Sequence, residues 1–273
     1  NDKKLGLVSA NLNVHGSSKE NIAAQGHIYD FDYNGYNYRS LNLNATYRNK
    51  RLEGKADIDD PNVQITAMGM FVKSGKTPNL QLKANVAHLA PHTLRLTNKW
   101  EQTAFSGNIE CDIKGNNINN ADGSIELHDF VMRAPDTEYT INNVSIKTGY
   151  DNDKHFLDVD SDFGTIDING HFSYNTIARS VLNMVAAKLP TIPGLTHQPQ
   201  REFNDFTLNA SLTSTEWMNR LLGIPLEIHR PLNISGDLDD KNEKINLWCD
   251  VPSFTFSGSR FSDAFINIES PSD

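Results

Sequence analysis

Along most of the chain, apolar and polar residues alternate one by one. Ala10, Leu12 and Val14 begin the pattern, and Leu41, Leu43, Ala45 and Tyr47 repeat it. Val63, Ile65, Ala67, Gly69 and Phe71 follow, then Leu80, Leu82, Ala84 and Val86. Phe105, Gly107, Ile109, Cys111 and Ile113 come next, then Ile166, Ile168, Gly170 and Phe172. Two later runs are Phe206, Leu208, Ala210, Leu212 and Ile245, Leu247, Cys249, Val251. A period of two places each set on one face of a strand. The intervening Asn, Asp, Lys, Ser and Thr want water. Antiparallel sheets with one wet face produce this pattern, whereas buried parallel strands read as continuous apolar runs. The fold class expected is therefore mainly β, antiparallel.

Two segments change period. Ile177, Val181, Met184, Val185 and Leu189 fall at helical spacing, which predicts an amphipathic helix over 175–189. Ser173 or Asn175 can cap its start, and Pro190 and Pro193 stop it. A short helix is predicted near 215–222, with Ser214 as N-cap, an apolar stripe of Trp217, Leu221 and Leu222, and Gly223 as the stop. Ordinary packing against the sheet is the expectation for both.

The strands also repeat. Leu-Asn-Val-His-Gly, Cys-Asp-Ile-Lys-Gly and Leu-Asn-Ile-Ser-Gly end at Gly16, Gly115 and Gly236. After the first two, a polar spacer leads to Gly26-His27-Ile28 and Gly123-Ser124-Ile125. Further on, Tyr36–Leu43 aligns with Tyr139–Ile146 and more loosely with Ser259–Ile266. Gly69-Met70-Phe71 and Gly170-His171-Phe172 complete the first two copies. Strand units that share one open apolar face cannot fold singly and bury that face only by joining. The expected organisation is one elongated β-repeat domain over 1–273, with units near 5–100, 101–190 and 204–273.

Composition fits this picture. Counting Gly with the apolar residues gives roughly 41%, below the ~45–50% of typical globular domains, and the mean hydropathy is −0.50. Half of every strand being wet accounts for the deficit. Asn, at 31 of 273 residues, favours frequent turns. With 34 acidic and 25 basic residues, a net charge of −9 argues against nucleic-acid binding. No stretch approaches the ~18–20 apolar residues of a transmembrane helix. Two cysteines, Cys111 and Cys249, make no disulfide framework and offer no metal spacing. The chain has no signal segment at its start and closes amid strand pattern, so it reads as an internal piece of a longer protein.

No catalytic constellation stands out, and no cofactor is expected. Gly-x-Ser-x-Gly, a P-loop, His-Glu-x-x-His and Cys-x-x-Cys are absent. His88 and His92 have i,i+4 spacing, but Pro91 between them opposes a regular helix. Asp158, Asp160 and Asp162 fit the first positions of a calcium loop, but Phe163 replaces its Gly and Asn169 its Glu. Leu157, Val159 and Phe163 alternate with these acids, so a solvated strand face is expected. Asp57–Asn62 and Asp237–Glu243 read as turns.

The functional candidate is the apolar face itself. Its expected lining is Leu12, Val14, Leu41, Leu43, Ile65, Ile109, Ile113, Val144, Ile146, Ile166, Ile168, Leu208, Ile234, Leu247 and Ile266. Roughly 16–20 strands at ~4.8 Å would give a strip of order 80–95 Å. So large an exposed apolar patch signals a ligand or partner. Rolled partly over, the strip becomes an open gutter; closed on itself, it becomes a dry sandwich or solenoid. Periodicity leaves both open.

The three Leu-x-Val/Ile-x-Gly-type units, the run Val159–Phe172 with its following helix, and Leu212–Ile228 leading into Leu232–Asp240 resemble the AsmA-like superfamily over nearly the whole chain. The likeness is greatest to its TamB-type branch (translocation and assembly module) as found in Bacteroidetes. That resemblance implies a long, strongly curved repeat sheet, a β-taco with a hydrophobic groove. It implies a non-enzymatic, periplasmic segment of a protein anchored in the inner membrane. The groove would carry phospholipid acyl chains between the inner and outer membranes, and a barrel would be the outer-membrane partner of the full-length protein. Two other readings stand beside it: a β-augmentation scaffold for outer-membrane barrels, and a closed glycan-binding β-sandwich.

Overall fold

In a computed structural model of the chain, the described residues are 5–73, 77–188, 198–199, 202–256 and 258–270. The molecule is mainly β and forms one large antiparallel sheet. Its strands are β1 (Leu5–Ser18), β2 (Asn21–Tyr33), β3 (Tyr36–Arg48), β4 (Arg51–Asp60), β5 (Val63–Val72), β6 (Asn79–Leu89), β7 (Ala104–Lys114) and β8 (Asp122–Ala134). They continue as β9 (Thr137–Asp151), β10 (Lys154–Ser161), β11 (Gly164–His171), β12 (Asp205–Leu212), β13 (Leu226–Ile228), β14 (Leu232–Asp239), β15 (Lys244–Phe256) and β16 (Ser259–Glu269). Sheet order follows sequence order from β1 to β12; β14 and β15 come next, and β13 and β16 both pair with β15. Each alternating run of the opening pattern lies in one of these strands, except that Phe172 falls one residue beyond β11.

Asparagine explains how so many strands are joined so tightly. Asn34-Gly35, Asn49-Lys50 and Asn152-Asp153 form two-residue hairpin turns in which both φ angles are positive. Such turns match the twist of the flanking strands, and Asn tolerates the left-handed region better than most residues.

The chain divides into two compact units. The first comprises residues 1–116 and 123–144; the second comprises 117–122 and 145–273. The division falls within β9, at Val144–Ser145.

In the first unit the tightest core gathers Tyr38, Val63 and Leu94, with Phe31, Tyr36, Ile58 and Ile65 packed around it. Phe31 stacks on Tyr38 at 4.9 Å. Leu94, on the loop between β6 and β7, has no exposed surface. Asp60, assigned from sequence to a turn, is 1% exposed. Its carboxylate accepts from the Tyr36 hydroxyl at 2.6 Å and from the backbone N–H groups of Arg39 and Asn62. Burial raises the Tyr36 pKa, and the bond to Asp60 raises it further.

In the second unit the helix α1 (Ile177–Lys188) packs on the sheet as expected. Met184 joins Phe172, Phe206, Leu238, Ile245 and Ile268 in the core, and Ile177 and Val181 pack against them. Leu189, Pro190 and Pro193 of the expected helix end lie outside the described residues. The helix start differs from expectation. The backbone carbonyl of Ser173 accepts from the N–H groups of Thr176 and Ile177, while its hydroxyl has no partner.

A polar cluster ties the helix down. Asn204, 1% exposed, accepts from the Ser173 N–H at 2.7 Å and donates to Thr176 and Ser180. Asp240 accepts from the Ser180 hydroxyl and from the Asn204 N–H at 2.8 Å.

The second predicted helix is a π-helical turn, Met218–Leu222, entered through Glu216 and Trp217. The Ser214 hydroxyl accepts from the Glu216 N–H at 3.2 Å. Gly223 ends the turn in the left-handed region, φ 73°.

Candidate functional site

Strand register turns alternation into rows. In the first unit, Leu12, Gly26, Leu43, Ala56, Ala67, Ala84 and Ile109 stand opposite one another from β1 to β7. A parallel row holds Val14, Ala24, Ala45, Gly54, Gly69, Leu82 and Cys111. Residues directly opposite across a ladder share a face, so these rows form one apolar surface. Over β2–β6 they consist mostly of Ala and Gly.

Bulkier rows flank them. On one side lie Ile22, Tyr47, Leu52, Phe71, Leu80 and Ile113. On the other lie Ile28, Leu41, Ile58, Ile65 and Val86. The result is a low floor of small side chains between two taller rows over β2–β6, four steps or about 19 Å at ~4.8 Å per step.

This surface stays accessible except at Val86, which is 9% exposed. Leu41, Leu43, Ile65, Ile109 and Ile113 are half-buried, and Leu12 and Val14 are exposed at 38% and 59%. Leu52, Phe71 and Leu80 are also exposed, at 38–45%. Val144 differs: at 8% exposed it is core, so it cannot line an open surface.

The second unit has the same construction with a cover on one margin. The row His155, Gly170, Phe206, Leu238 and Ile245 is buried. Phe206, Leu238 and Ile245 form a core with Met184 of α1. Next to it runs Leu157, Ile168, Leu208, Gly236, Leu247 and Ile268. The following row is Val159, Ile166, Ala210, Ile234, Cys249 and Ile266. Ile166, Ile168, Leu208, Ile234 and Leu247 are half-buried, while the Ile266 side chain lies outside the described residues. Beyond them Leu212 and Leu232 are buried, and Trp217 packs on Phe163 at 4.9 Å. Ile146 on β9 is half-buried.

Thirteen of the fifteen positions read from the sequence thus fall into these rows. The flanking Ile22, Leu52, Phe71 and Leu80 were not among them, although alternation marks Phe71 and Leu80 as apolar-face residues. What alternation cannot show is that Gly54 faces Gly69 and that the centre is low.

The opposite face is polar and cross-linked. Lys83 pairs with Glu110 at 2.7 Å, Gln81 donates to Asp112 at 2.8 Å, and Asn85 donates to Asn108 at 2.8 Å. In the second unit, Asp158 of the acidic run faces Asp167 across β10–β11. Burial, and then the Asp167 charge, push the Asp158 pKa up. Among the described residues, no three His, Cys, Asp or Glu side chains gather as a metal site. Both cysteines are free thiols.

No helix among the described residues is long and apolar enough to cross a membrane. No protein-family model matches the chain, and comparison with curated proteins and with solved structures returns no match.

Proposed function

We propose that this chain is a non-enzymatic lipid-handling segment of a TamB-type, AsmA-like protein. In this reading the sheet curls along its length into an open groove, the β-taco, with the small-residue floor at its base. Phospholipid acyl chains lie on the floor and headgroups stay in water at the open margin. The segment works in the periplasm, within a protein anchored in the inner membrane and partnered by an outer-membrane barrel, and supports outer-membrane biogenesis.

The observation that carries this reading is the run of largely accessible apolar rows that continues from β1 to β7. Each methylene moved from water onto such a surface contributes about 0.8 kcal/mol. No single residue has to be specific, which agrees with a lining that varies in size but not in polarity.

Native mass spectrometry and photocrosslinking test it. A photoreactive residue at Leu43 or Ile65 should yield phospholipid adducts, and one at the polar-face neighbours Asn42 or Gln64 should not. Leu43→Asp and Ile146→Asp should abolish lipid retention while leaving the β-sheet circular dichroism unchanged. Absence of co-purifying lipid together with absence of adducts at Leu43 and Ile65 would defeat the proposal.

A second reading rests on β1. It is exposed along its whole length, pairs only with β2 among the described residues, and carries no Asp, Glu, Lys, Arg or Pro between Leu5 and Ser18. Edge strands are ordinarily blunted by such residues, so β1 is open to β-augmentation by a strand of a client barrel. Binding of an unfolded barrel strand that survives Leu43→Asp and is lost in both Asn11→Pro and Leu12→Pro would favour this scaffold role.

A further inference from the structure

The polar face over β1–β4 differs from the polar face over β4–β8. In the latter region, side chains are tied to one another across strands, as in Lys83–Glu110, Gln81–Asp112 and Asn85–Asn108. Over β1–β4, Asn13, Gln25 and Asn44 stand side by side in one cross-strand row. Asn11, His27 and Asn42 stand in the next. Among the described residues, the side-chain amides of Asn11, Asn13, Gln25 and Asn44 engage no partner. His27 is held in place by Asn42, Nδ1 to Oδ1 at 2.8 Å.

An aromatic ring lines the same cleft as these amides. In β1–β2 the register passes from Ala10 opposite Ile28 to Ser9 opposite Asp30, so Tyr29 is the extra residue of a bulge. Bulges redirect the side chain they carry. Tyr29 is 52% exposed and meets the His27 ring edge-on at 4.9 Å. Together these residues line a shallow cleft of about 640 Å3.

The charge of the cleft is nearly balanced. Its charged members, Lys55 and Asp57, pair at 3.1 Å. The Thr66 hydroxyl, and then Lys55, hold the Asp57 carboxyl below its ordinary range, and the two side chains match each other in charge. In a chain of net charge −9, this patch therefore favours an uncharged ligand.

We infer that this cleft binds a neutral oligosaccharide. Each free amide presents two donors and an acceptor in one plane, which matches a pair of adjacent sugar hydroxyls. Three such amides in a row, spaced by ~4.8 Å, match successive rings of an extended β-linked chain. Tyr29 offers an apolar ring face with a polar tip for stacking on a pyranose. The site lies on the opposite face of the sheet from the apolar rows, so it stands or falls independently of the lipid proposal.

The test is a titration followed by NMR, using cellotetraose and tri-N-acetylchitotriose as separate probes. At least one should perturb the side-chain amide signals of Asn11, Asn13, Gln25 and Asn44 with a Kd of about 1 mM. Tyr29→Ala and Asn44→Ala should each weaken that binding about tenfold or more. Asn85→Ala, which changes a paired amide on the same face, should leave it unchanged. Matching circular dichroism of the variants separates loss of binding from loss of fold. The inference is overturned if neither probe binds, or if binding survives Tyr29→Ala and Asn44→Ala unchanged. Stronger binding of one probe identifies whether the N-acetyl group or the bare hydroxyls are recognised.

Discussion

Gly54 and Gly69 face each other directly across the β4–β5 ladder, in the middle of the apolar floor of the first unit. The neighbouring strands leave no room for more. A Cβ on Gly54 would lie 2.5 Å from the Asn44 carbonyl oxygen and 2.9 Å from the Ala45 Cα. A Cβ on Gly69 would lie 2.7 Å from the Gln81 carbonyl oxygen. The lowest point of the floor is thus also where the backbone tolerates no side chain.

Gly54→Ala should therefore destabilise the protein by about 1–3 kcal/mol, the usual cost of overpacking. The change is smaller than any apolar substitution elsewhere in the rows, yet it forces backbone to move. Urea denaturation reads the effect. An unchanged midpoint would show that β3 shifts freely to accept a methyl group.

Asn204→Ala should loosen α1. The substitution leaves the Ser173 N–H without its acceptor and removes the donors to Thr176 and Ser180. Stranded buried polar groups cost about 1–3 kcal/mol each. Amide hydrogen exchange should rise across Ile177–Lys188 before it rises in β12. Uniform protection across both elements would mean that the apolar contacts of Met184 alone hold the helix.

His155 should make the second unit acid-sensitive. Its ring lies between Tyr150 at 4.7 Å and Phe172 at 4.4 Å, and its Nε2 is 3.1 Å from the Thr148 hydroxyl. Burial lowers its pKa, opposed by a weaker backbone interaction with Phe172. A depressed folded-state pKa means that the unfolded chain takes up the proton first as pH falls. The stability is present above the ordinary imidazole value of ~6.5 and declines below it, until the folded-state pKa is passed. His155→Phe keeps the stacking and removes the titration. Its melting temperature should fall less than that of the wild type between pH 7.5 and 5.5, on the order of the window set by ~6.5. Parallel pH profiles for the two proteins would refute this.

The two thiols should react at different rates. Burial, and then the Asp250 charge, raise the Cys249 pKa to about 11, and its side chain is buried. Cys111 is half-buried, and its pKa is also raised, by burial first. At pH 8, Cys111 should be modified by a thiol reagent at least about tenfold faster than Cys249, because the thiolate is the reactive form. In urea the two rates should converge. Equal rates in the folded protein would show that Cys249 is reached from solvent.

Several of these features are written in the sequence, and others are not. Alternation placed Leu43, Ile65, Ile168 and Leu247 on one face because side-chain direction in a strand is a local property with a period of two. The helix over Ile177–Lys188 was legible for the same reason, with a different period. The tertiary roles of Asp60, Asn204 and Asp240 were not legible. Asp60 beside Pro61 and Asp240 beside Lys241 signal turns locally, and only the bonds to Tyr36 and Ser180, 24 and 60 residues away, give them a tertiary role. Ser173 looked like a side-chain cap, yet its carbonyl accepts from Thr176 and Ile177 while Asn204 holds its N–H.

The sequence by itself determined that this chain forms antiparallel strands with one greasy and one wet face. Local periodicity suffices for that. Tertiary structure alone decided which residues stand opposite one another, since register depends on turns and bulges such as those at Asn34-Gly35 and Tyr29. Register set Ala and Gly in line as a floor and left four amides unpaired beside an exposed tyrosine. The same alternation, slipped by one residue, would present the opposite face to the core. Only the pairing of whole strands fixes which surface is offered.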